Sequence, residues 1–223
     1  MEKLELIAKG AEADIWRDMD WNGKDVLIKR RVRKLYRHEE LDNQLRSYRT
    51  IHEALIMHRA KRAGVPTPVV YQIIPEEAVI IMEYINGEKI RDVISFVENE
   101  KRKEIFRIIG VQTGRLHKAG IIHGDLTTSN MIKEKTLIFF IDFGLAELSS
   151  EDEKRGVDLH LMRRMLISTH YMLEEELFKA FEEGYRSILG GDAETVFKKM
   201  KEIEKRGRYV EREDTVDGDA QQE

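Results

Sequence analysis

Cysteine is absent from the 223 residues, so no disulfide framework and no cysteine-based zinc or redox site can form. Long apolar runs are absent too, and no stretch approaches the roughly 20 residues that span a bilayer. The opening Met1-Glu2-Lys3-Leu4 lacks the charged-then-apolar pattern of a secretory signal. These absences leave a soluble cytoplasmic protein with no membrane association as the expectation. Charge of one sign is scarce as well. A formal net charge of −4 excludes a chain-wide polyanion-binding surface, so any nucleic-acid contact must come from a local patch. Charge of both signs is abundant, at 36% of residues, with the Lys, Arg and Glu excess found in thermophile proteins. The length suits one large domain or two small lobes.

The chemistry is concentrated between Ile121 and Gly144. Asp125 precedes Asn130, and two short apolar segments, Met131-Ile132 and Leu137 to Ile141, deliver Asp142-Phe143-Gly144. This order resembles the H-R-D-x-x-x-x-N and D-F-G elements of protein kinases, where the first Asp accepts a substrate hydroxyl proton and the Asn and second Asp hold Mg²⁺. Phosphoryl transfer asks a protein for position and positive charge, so two oxygen ligands at the ends of a hairpin beside a base suit it. A lone D-F-G reads equally as a turn after a buried strand. The ordered combination is specific.

Upstream, Leu4 to Ala8, Ala13 to Met19 and Lys24 to Lys29 alternate like strands, and Asn22-Gly23 is a hairpin turn. The loop Lys9-Gly10-Ala11-Glu12-Ala13-Asp14-Ile15 occupies the place of a kinase phosphate-covering loop but keeps one glycine of three; as an isolated signal it is an ordinary hairpin loop. Val26-Leu27-Ile28-Lys29 resembles the strand whose lysine pairs the nucleotide phosphates and a helical glutamate. The stripe Leu41, Leu45, Tyr48, His52, Leu55, Met57 and Ala60 predicts the next helix, and Glu53 at its border is the expected partner of Lys29. The basic run from Lys29 to His38 reads as a solvated linker. His52 and His58 do not form a metalloprotease pair, since the second His of H-E-x-x-H falls on Ile56. After Gly64-Val65-Pro66-Thr67-Pro68, strands at Val69 to Ile74 and Ala78 to Tyr84 complete a five-stranded sheet. Glu83 to Gly87 has hinge composition, with Glu83 and Ile85 placed to meet an adenine edge through their backbone. Helices are expected at Glu88 to Glu98, Lys101 to Lys118, Gly156 to Tyr171, Leu173 to Leu189 and Ala193 to Lys205. A basic tail from Arg206 to Arg212 follows, and residues from Asp214 onward read as a disordered acidic end.

Several stretches together resemble the small atypical kinase of the KEOPS complex, which serves threonylcarbamoyladenosine formation on tRNA. They include Lys9-Gly10-Ala11-Glu12-Ala13, Tyr36-Arg37-His38 with Leu41-Asp42, Arg49-Thr50 before Glu53, His123-Gly124-Asp125-Leu126-Thr127-Thr128-Ser129-Asn130-Met131, Asp142-Phe143-Gly144-Leu145-Ala146 and Arg206-Gly207-Arg208-Tyr209. The resemblance implies an α+β, bilobal protein-kinase-like fold with a shortened activation segment: residues 1–84 as the small lobe and 85–213 as the helical lobe. It implies ATP and Mg²⁺ as cofactors, with Lys29 on the phosphates, Asp125 as catalytic acceptor, and Asn130 and Asp142 on the metal. A tRNA-modifying ATPase subunit of the Kae1 type, a small accessory subunit, and tRNA at the basic tail are the implied partners. Departures matter equally. Gly124 replaces the Arg of H-R-D, no A-P-E follows, and Thr127 stands where many kinases place a phosphate-touching lysine. An ATPase or a kinase for one docked partner fits these departures better than a general peptide kinase. Competing readings are a partner-binding scaffold and a Rio-type or small-molecule kinase.

Overall fold

The computed structural model describes residues 4–216, and the side chains of residues 4–206. In chain order the elements are β1 (Leu4–Lys9), β2 (Ala13–Trp21), β3 (Lys24–Arg31), α1 (Glu39–Arg62), β4 (Val70–Ile74), β5 (Val79–Glu83), β6 (Glu88–Lys89) and α2 (Ile90–Val93). Then come α3 (Asn99–Lys118), β7 (Ile121–Ile122), β8 (Met131–Glu134), β9 (Leu137–Phe140), β10 (Glu147–Leu148), α4 (Asp152–Thr169), α5 (Glu174–Leu189) and α6 (Asp192–Val216). They form two compact units. One comprises residues 1–93 and 129–147, the other residues 94–128 and 148–223. The division expected after residue 84 thus falls later, and the hairpin β8–β9 groups with the sheet.

The first unit is built on the expected antiparallel sheet, in the order β1-β2-β3-β5-β4. Asn22 and Gly23, with φ of 51° and 75°, make the left-handed two-residue turn that matches strand twist. Strand β3 has two unlike faces. Val26 joins Val79 and Ile81 in an apolar cluster with Trp21, Ile28 and Ile74 packed against it. The alternate residues Lys29 and Arg31 are also buried, because successive side chains in a strand point to opposite sides. The β8–β9 hairpin is tied to this unit by pairing of Lys133 and Ile132 with Glu88 and Lys89, and by the Phe140 N–H donating to Pro66 O at 2.9 Å.

Helix α1 is present, but only part of its expected stripe faces inward: Met57 and Ala60 are buried. Leu41, Tyr48 and Leu55 are exposed. The buried face carries Asp42, Thr50 and Glu53 beside Ala54, Ile56, Met57 and Ala60. Exposure of an apolar side chain is a weak constraint, whereas each buried polar group here has a partner that compensates its desolvation. Arg46 and Arg37 meet Asp42, and the Thr50 hydroxyl donates to Arg46 O at 2.7 Å.

In the second unit α3 and α5 cross closely. A side chain at Gly110 would strike the Phe181 carbonyl, and one at Gly184 the Arg107 carbonyl. Phe178, Phe181, Tyr185 and Phe197 form a buried aromatic series with neighbouring ring centroids 5.5–6.2 Å apart. Among the described residues no helix is long and apolar enough to cross a membrane.

Three expected helices are corrected. Glu88 to Glu98 is not one helix: Glu88–Lys89 is captured as a strand, followed by a short α-turn and a 3-10 turn at Ile94–Phe96. Cross-strand hydrogen bonds outweigh a weak local preference among β-branched Ile90, Val93 and Ile94. Helix α4 begins at Asp152, earlier than Gly156, with Asp152 and Glu153 favoured by the N-terminal dipole. Helix α6 continues through Val216, so the basic tail and the start of the acidic end are helical in backbone. Residues 217–223 of the expected acidic end lie outside the described residues.

Candidate active site

Lys29 on β3 and Glu53 on α1 form a buried ion pair, Nζ to Oε1 2.7 Å. The same ammonium reaches the Asp142 Oδ1 at 2.8 Å. The second Glu53 oxygen, Oε2, accepts from Arg31 Nη2 at 2.6 Å. Glu53 is 1% exposed and Lys29 8%, so these charges lie almost wholly out of water. Burial works against the charge of Lys29, but Glu53 and Asp142 outweigh it and hold the ammonium above the ordinary lysine range. The Asp142 side chain, by contrast, is half exposed.

The backbone delivers Asp142 at some cost. Its φ is 59°, a left-handed conformation that disfavours a residue with a Cβ by roughly 1–2 kcal/mol. The Gly144 N–H donates to Asp142 Oδ1 at 3.3 Å. At this same open end of the hairpin the Asn130 carbonyl accepts from Ile141 N at 2.9 Å, so Asn130 and Asp142 flank one end of β8–β9. That backbone bond brings the two oxygen-bearing residues to one end of the hairpin although eleven residues intervene.

The loop after β1 is held on both sides. Gly10 N–H donates to Ala13 O at 3.1 Å, and any Cβ at Gly10 would sit 2.7 Å from that oxygen. Lys34 Nζ donates to Ala11 O at 2.6 Å, and Glu12 meets Lys34 at 3.6 Å and Arg49 at 3.3 Å. Lys9, Gly10, Ala11 and Glu12 are exposed, Ala13 is buried, and Asp14 and Ile15 are half-buried. The run after Lys29 is therefore not a solvated linker. Arg31 is 6% exposed, and Lys34 and Arg37 serve the loop and Asp42. Sequence reading missed Arg31, although period-two alternation from Lys29 points to it. At the expected hinge, Glu83 N–H donates to Val69 O at 2.8 Å and Ile85 O accepts from Gly87 N at 3.0 Å, so those two groups are already engaged.

Asp125 lies in the second unit. Its N–H donates to His123 Nδ1 at 3.3 Å, and its carbonyl accepts from Thr127 N at 2.9 Å. Asp158 on α4 anchors the preceding backbone: Oδ2 accepts from His123 N at 2.7 Å and Oδ1 from Gly124 N at 2.8 Å. Gly124 has φ of 78°, where glycine is unstrained and an arginine is not. The replaced Arg of H-R-D thus has a backbone reason. His117 Nε2 contacts the same Asp158 oxygen at 3.2 Å, and its Nδ1 lies 2.8 Å from the Tyr185 hydroxyl. A carboxylate only accepts, so in the neutral ring Nε2 carries the proton and Nδ1 accepts from Tyr185. Burial opposes ionisation of Asp158, but His117, with His123 and its backbone amide, prevails and holds the carboxyl below the usual range. No periodicity in the sequence singles out His117 or Tyr185.

Among the described residues no group of three or more His, Asp or Glu is placed to hold a metal. A hard ion that keeps waters and shares phosphate oxygens needs only one or two protein oxygens, and the Asn130 and Asp142 pair is of that kind.

The RIO domain family model matches residues 21–156. The KEOPS complex subunit Bud32 of Pyrococcus abyssi is 45% identical over 216 residues, covering 94% of this chain and 98% of that protein. The chain belongs to the Bud32 family. A second relative, the probable bifunctional tRNA threonylcarbamoyladenosine biosynthesis protein of Methanothermobacter thermautotrophicus, is 45% identical over 93% of this chain. This Bud32-family chain spans only 37% of that longer protein. The Rio2 kinase from Chaetomium thermophilum, solved as an ADP/Mg²⁺–phosphoaspartate complex, matches with a TM-score of 0.62 at 15% identity, covering 91% of this chain and 70% of Rio2. The fold is therefore α+β and protein-kinase-like, and the chain carries a RIO domain and is a serine/threonine-protein-kinase-like enzyme, as the Archaeoglobus fulgidus member of the family is named.

Proposed function

We propose that this chain binds ATP with Mg²⁺ and transfers the γ-phosphoryl group to a serine or threonine hydroxyl of a docked partner, or to water, within a cytoplasmic KEOPS-type complex that makes threonylcarbamoyladenosine on tRNA. The observation that carries the reading is the Lys29 ammonium gripped by both Glu53 and Asp142, with Asn130 at the same hairpin end. A lysine held charged in a buried site supplies the fixed cation that phosphate oxygens need. Asp142 and Asn130 offer the oxygens for Mg²⁺, which when bound neutralises charge on the transferring phosphoryl group. Asp125 receives the acceptor hydroxyl's proton, a role assigned by its motif position, with Asp158 fixing the backbone just before it. The tethered loop from Lys9 to Ile15 covers the phosphates, with Lys9 adding charge where glycine amides are missing. Glu83 and Ile85 offer the adenine their remaining backbone groups.

The partners in this reading are other KEOPS subunits, which the name of the Pyrococcus abyssi relative supports; a Kae1-type ATPase and a small accessory protein are the ones that the sequence resemblance implies. The longer bifunctional relative supports a tight working association with the modifying activity. Contact of tRNA with Arg206 to Arg212 belongs to the same proposal. Of this run only the Arg206 side chain is described, paired with Glu153.

The test follows labelled γ-phosphate with the protein alone and with partner subunits plus tRNA. Transfer to a partner or release as phosphate, lost in Asp142→Ala, is expected. Binding of the partner with no ATP turnover in any combination supports a scaffold instead.

A further inference from the structure

The acidic residue of the site has two cationic partners, and the nucleotide reading uses only one of them. Lys29 and Arg31 lie two positions apart on β3, on one face, and take one carboxylate oxygen of Glu53 each. Arg31 Nη2 also stands 3.5 Å from the carbonyl oxygen of Arg49, one helical turn before Glu53 on α1. Nη2 makes both contacts, so one end of the guanidinium fork touches helix α1 at two levels, and a rigid planar group loses less freedom in holding them than a flexible ammonium does.

Four charges then balance: Lys29 and Arg31 against Glu53 and Asp142. Two of them have other duties when nucleotide binds. Lys29 turns part of its hydrogen bonding to phosphate, and Asp142, the only one of the four with a half-exposed side chain, turns to the metal. Glu53 has no such freedom. It is 1% exposed, and a buried carboxylate left with a shared partner is strongly disfavoured. Without another cation, Glu53 competes with phosphate for Lys29.

We propose that Arg31 is a positioning residue that holds Glu53 and helix α1 in place independently of Lys29, freeing Lys29 to engage the nucleotide. This rests on the MgATP reading above. It also gives the site an assembled state that requires no phosphorylated loop, consistent with the glycine at 124. A merely structural salt bridge would use the same contacts, so the test must separate the two.

The experiment uses the full chain with its partner subunits present. Steady-state ATP turnover is measured for wild type, Arg31→Gln and Arg31→Lys, with circular dichroism to establish folding. Arg31→Gln raises KM for ATP about tenfold while kcat stays within about threefold, and Arg31→Lys, which keeps the charge but not the fork, raises KM about threefold. In a Glu53→Gln background, adding Arg31→Gln changes KM less than about twofold, since the two act through one contact. The second readout is hydrogen exchange of the amides from Arg49 to Met57 with and without MgATP. Wild-type exchange is insensitive to nucleotide, whereas in the Arg31 variants it rises when nucleotide is added. Equal KM values for wild type and Arg31→Lys, or exchange that rises by the same factor with and without nucleotide, overturn the proposal and leave a structural ion pair. Should Arg31→Gln fail to fold, the Arg31→Lys comparison decides. Absence of ATP turnover and binding in the wild type overturns the nucleotide reading itself, and this proposal with it.

Discussion

Lys29 and Asp142 are separated by 113 residues of chain and by 2.8 Å in space. Their contact joins a strand of the sheet to the end of the β8–β9 hairpin, and the Ile141–Asn130 backbone bond brings Asn130 to the same end. Each prediction below tests one part of that assembly or of the scaffold behind it.

Replacing Glu53 leaves Lys29 and Arg31 as buried cations without their shared carboxylate. Glu53→Ala is expected to cost about 3–5 kcal/mol of stability, the range for breaking a buried pair from one side. Urea unfolding followed by circular dichroism measures it. A loss under 1 kcal/mol would mean that both cations find water or other partners.

Asp142→Asn keeps the shape and removes the charge. Lys29 then retains Glu53, so folding stability changes little. ATP turnover should fall by at least about a hundredfold, the scale of a lost electrostatic contact in a preorganised site. Labelled phosphate release at saturating MgATP is the measurement, and turnover near wild type would remove Asp142 from the metal assignment.

Stability should depend on pH at both extremes. The Asp158 carboxyl is held below its ordinary value, so its contribution is complete above about pH 4 and is lost as pH falls through the lowered value. Lys29 is held above the ordinary lysine value, so its contribution is complete below about pH 10 and is lost as pH rises through the raised value. Thermal melts across pH 2–12 should show a weaker acid limb in Asp158→Asn and a weaker alkaline limb in Lys29→Met.

Gly124→Ala tests the backbone before Asp125. With φ of 78°, a Cβ there costs roughly 1–2 kcal/mol and strains the two amides held by Asp158. Activity should fall more than stability, because Asp125 is the residue displaced. Comparison of kcat with the melting temperature checks this, and an unchanged kcat would show that the loop tolerates the shift.

Gly184→Ala addresses the helix crossing. The added methyl meets the Arg107 carbonyl, so α3 and α5 must separate. Overpacking of this kind costs about 1–3 kcal/mol. The loss should appear in thermal stability, with KM for ATP unchanged because Gly184 packs within the second unit while Lys29 and Glu53 belong to the first.

Much of this was legible in the chain. The five strands, the Asn22-Gly23 turn and the Asp125, Asn130 and Asp142 set announce themselves through local rules of alternation, turn chemistry and motif spacing. The errors are equally physical. The apolar stripe of α1 was right at Met57 and Ala60 and wrong at Leu41, Tyr48 and Leu55, which can remain in water at modest cost while Asp42 and Glu53 are buried by cationic partners. Glu88 to Glu98 suggested a helix, because nothing within it reveals that Ile132 and Lys133 offer a pairing edge.

By itself, then, the order of residues determined most of the strands and helices, the lysine on β3 and the spacing of Asp125, Asn130 and Asp142, which local patterns carry. Only the tertiary structure decided which face of α1 turns inward, that Arg31 shares Glu53 with Lys29, and that Asp158 holds the backbone before Asp125. Those choices are settled by compensation of buried charge between groups 22 to 113 residues apart, a balance that no local pattern encodes.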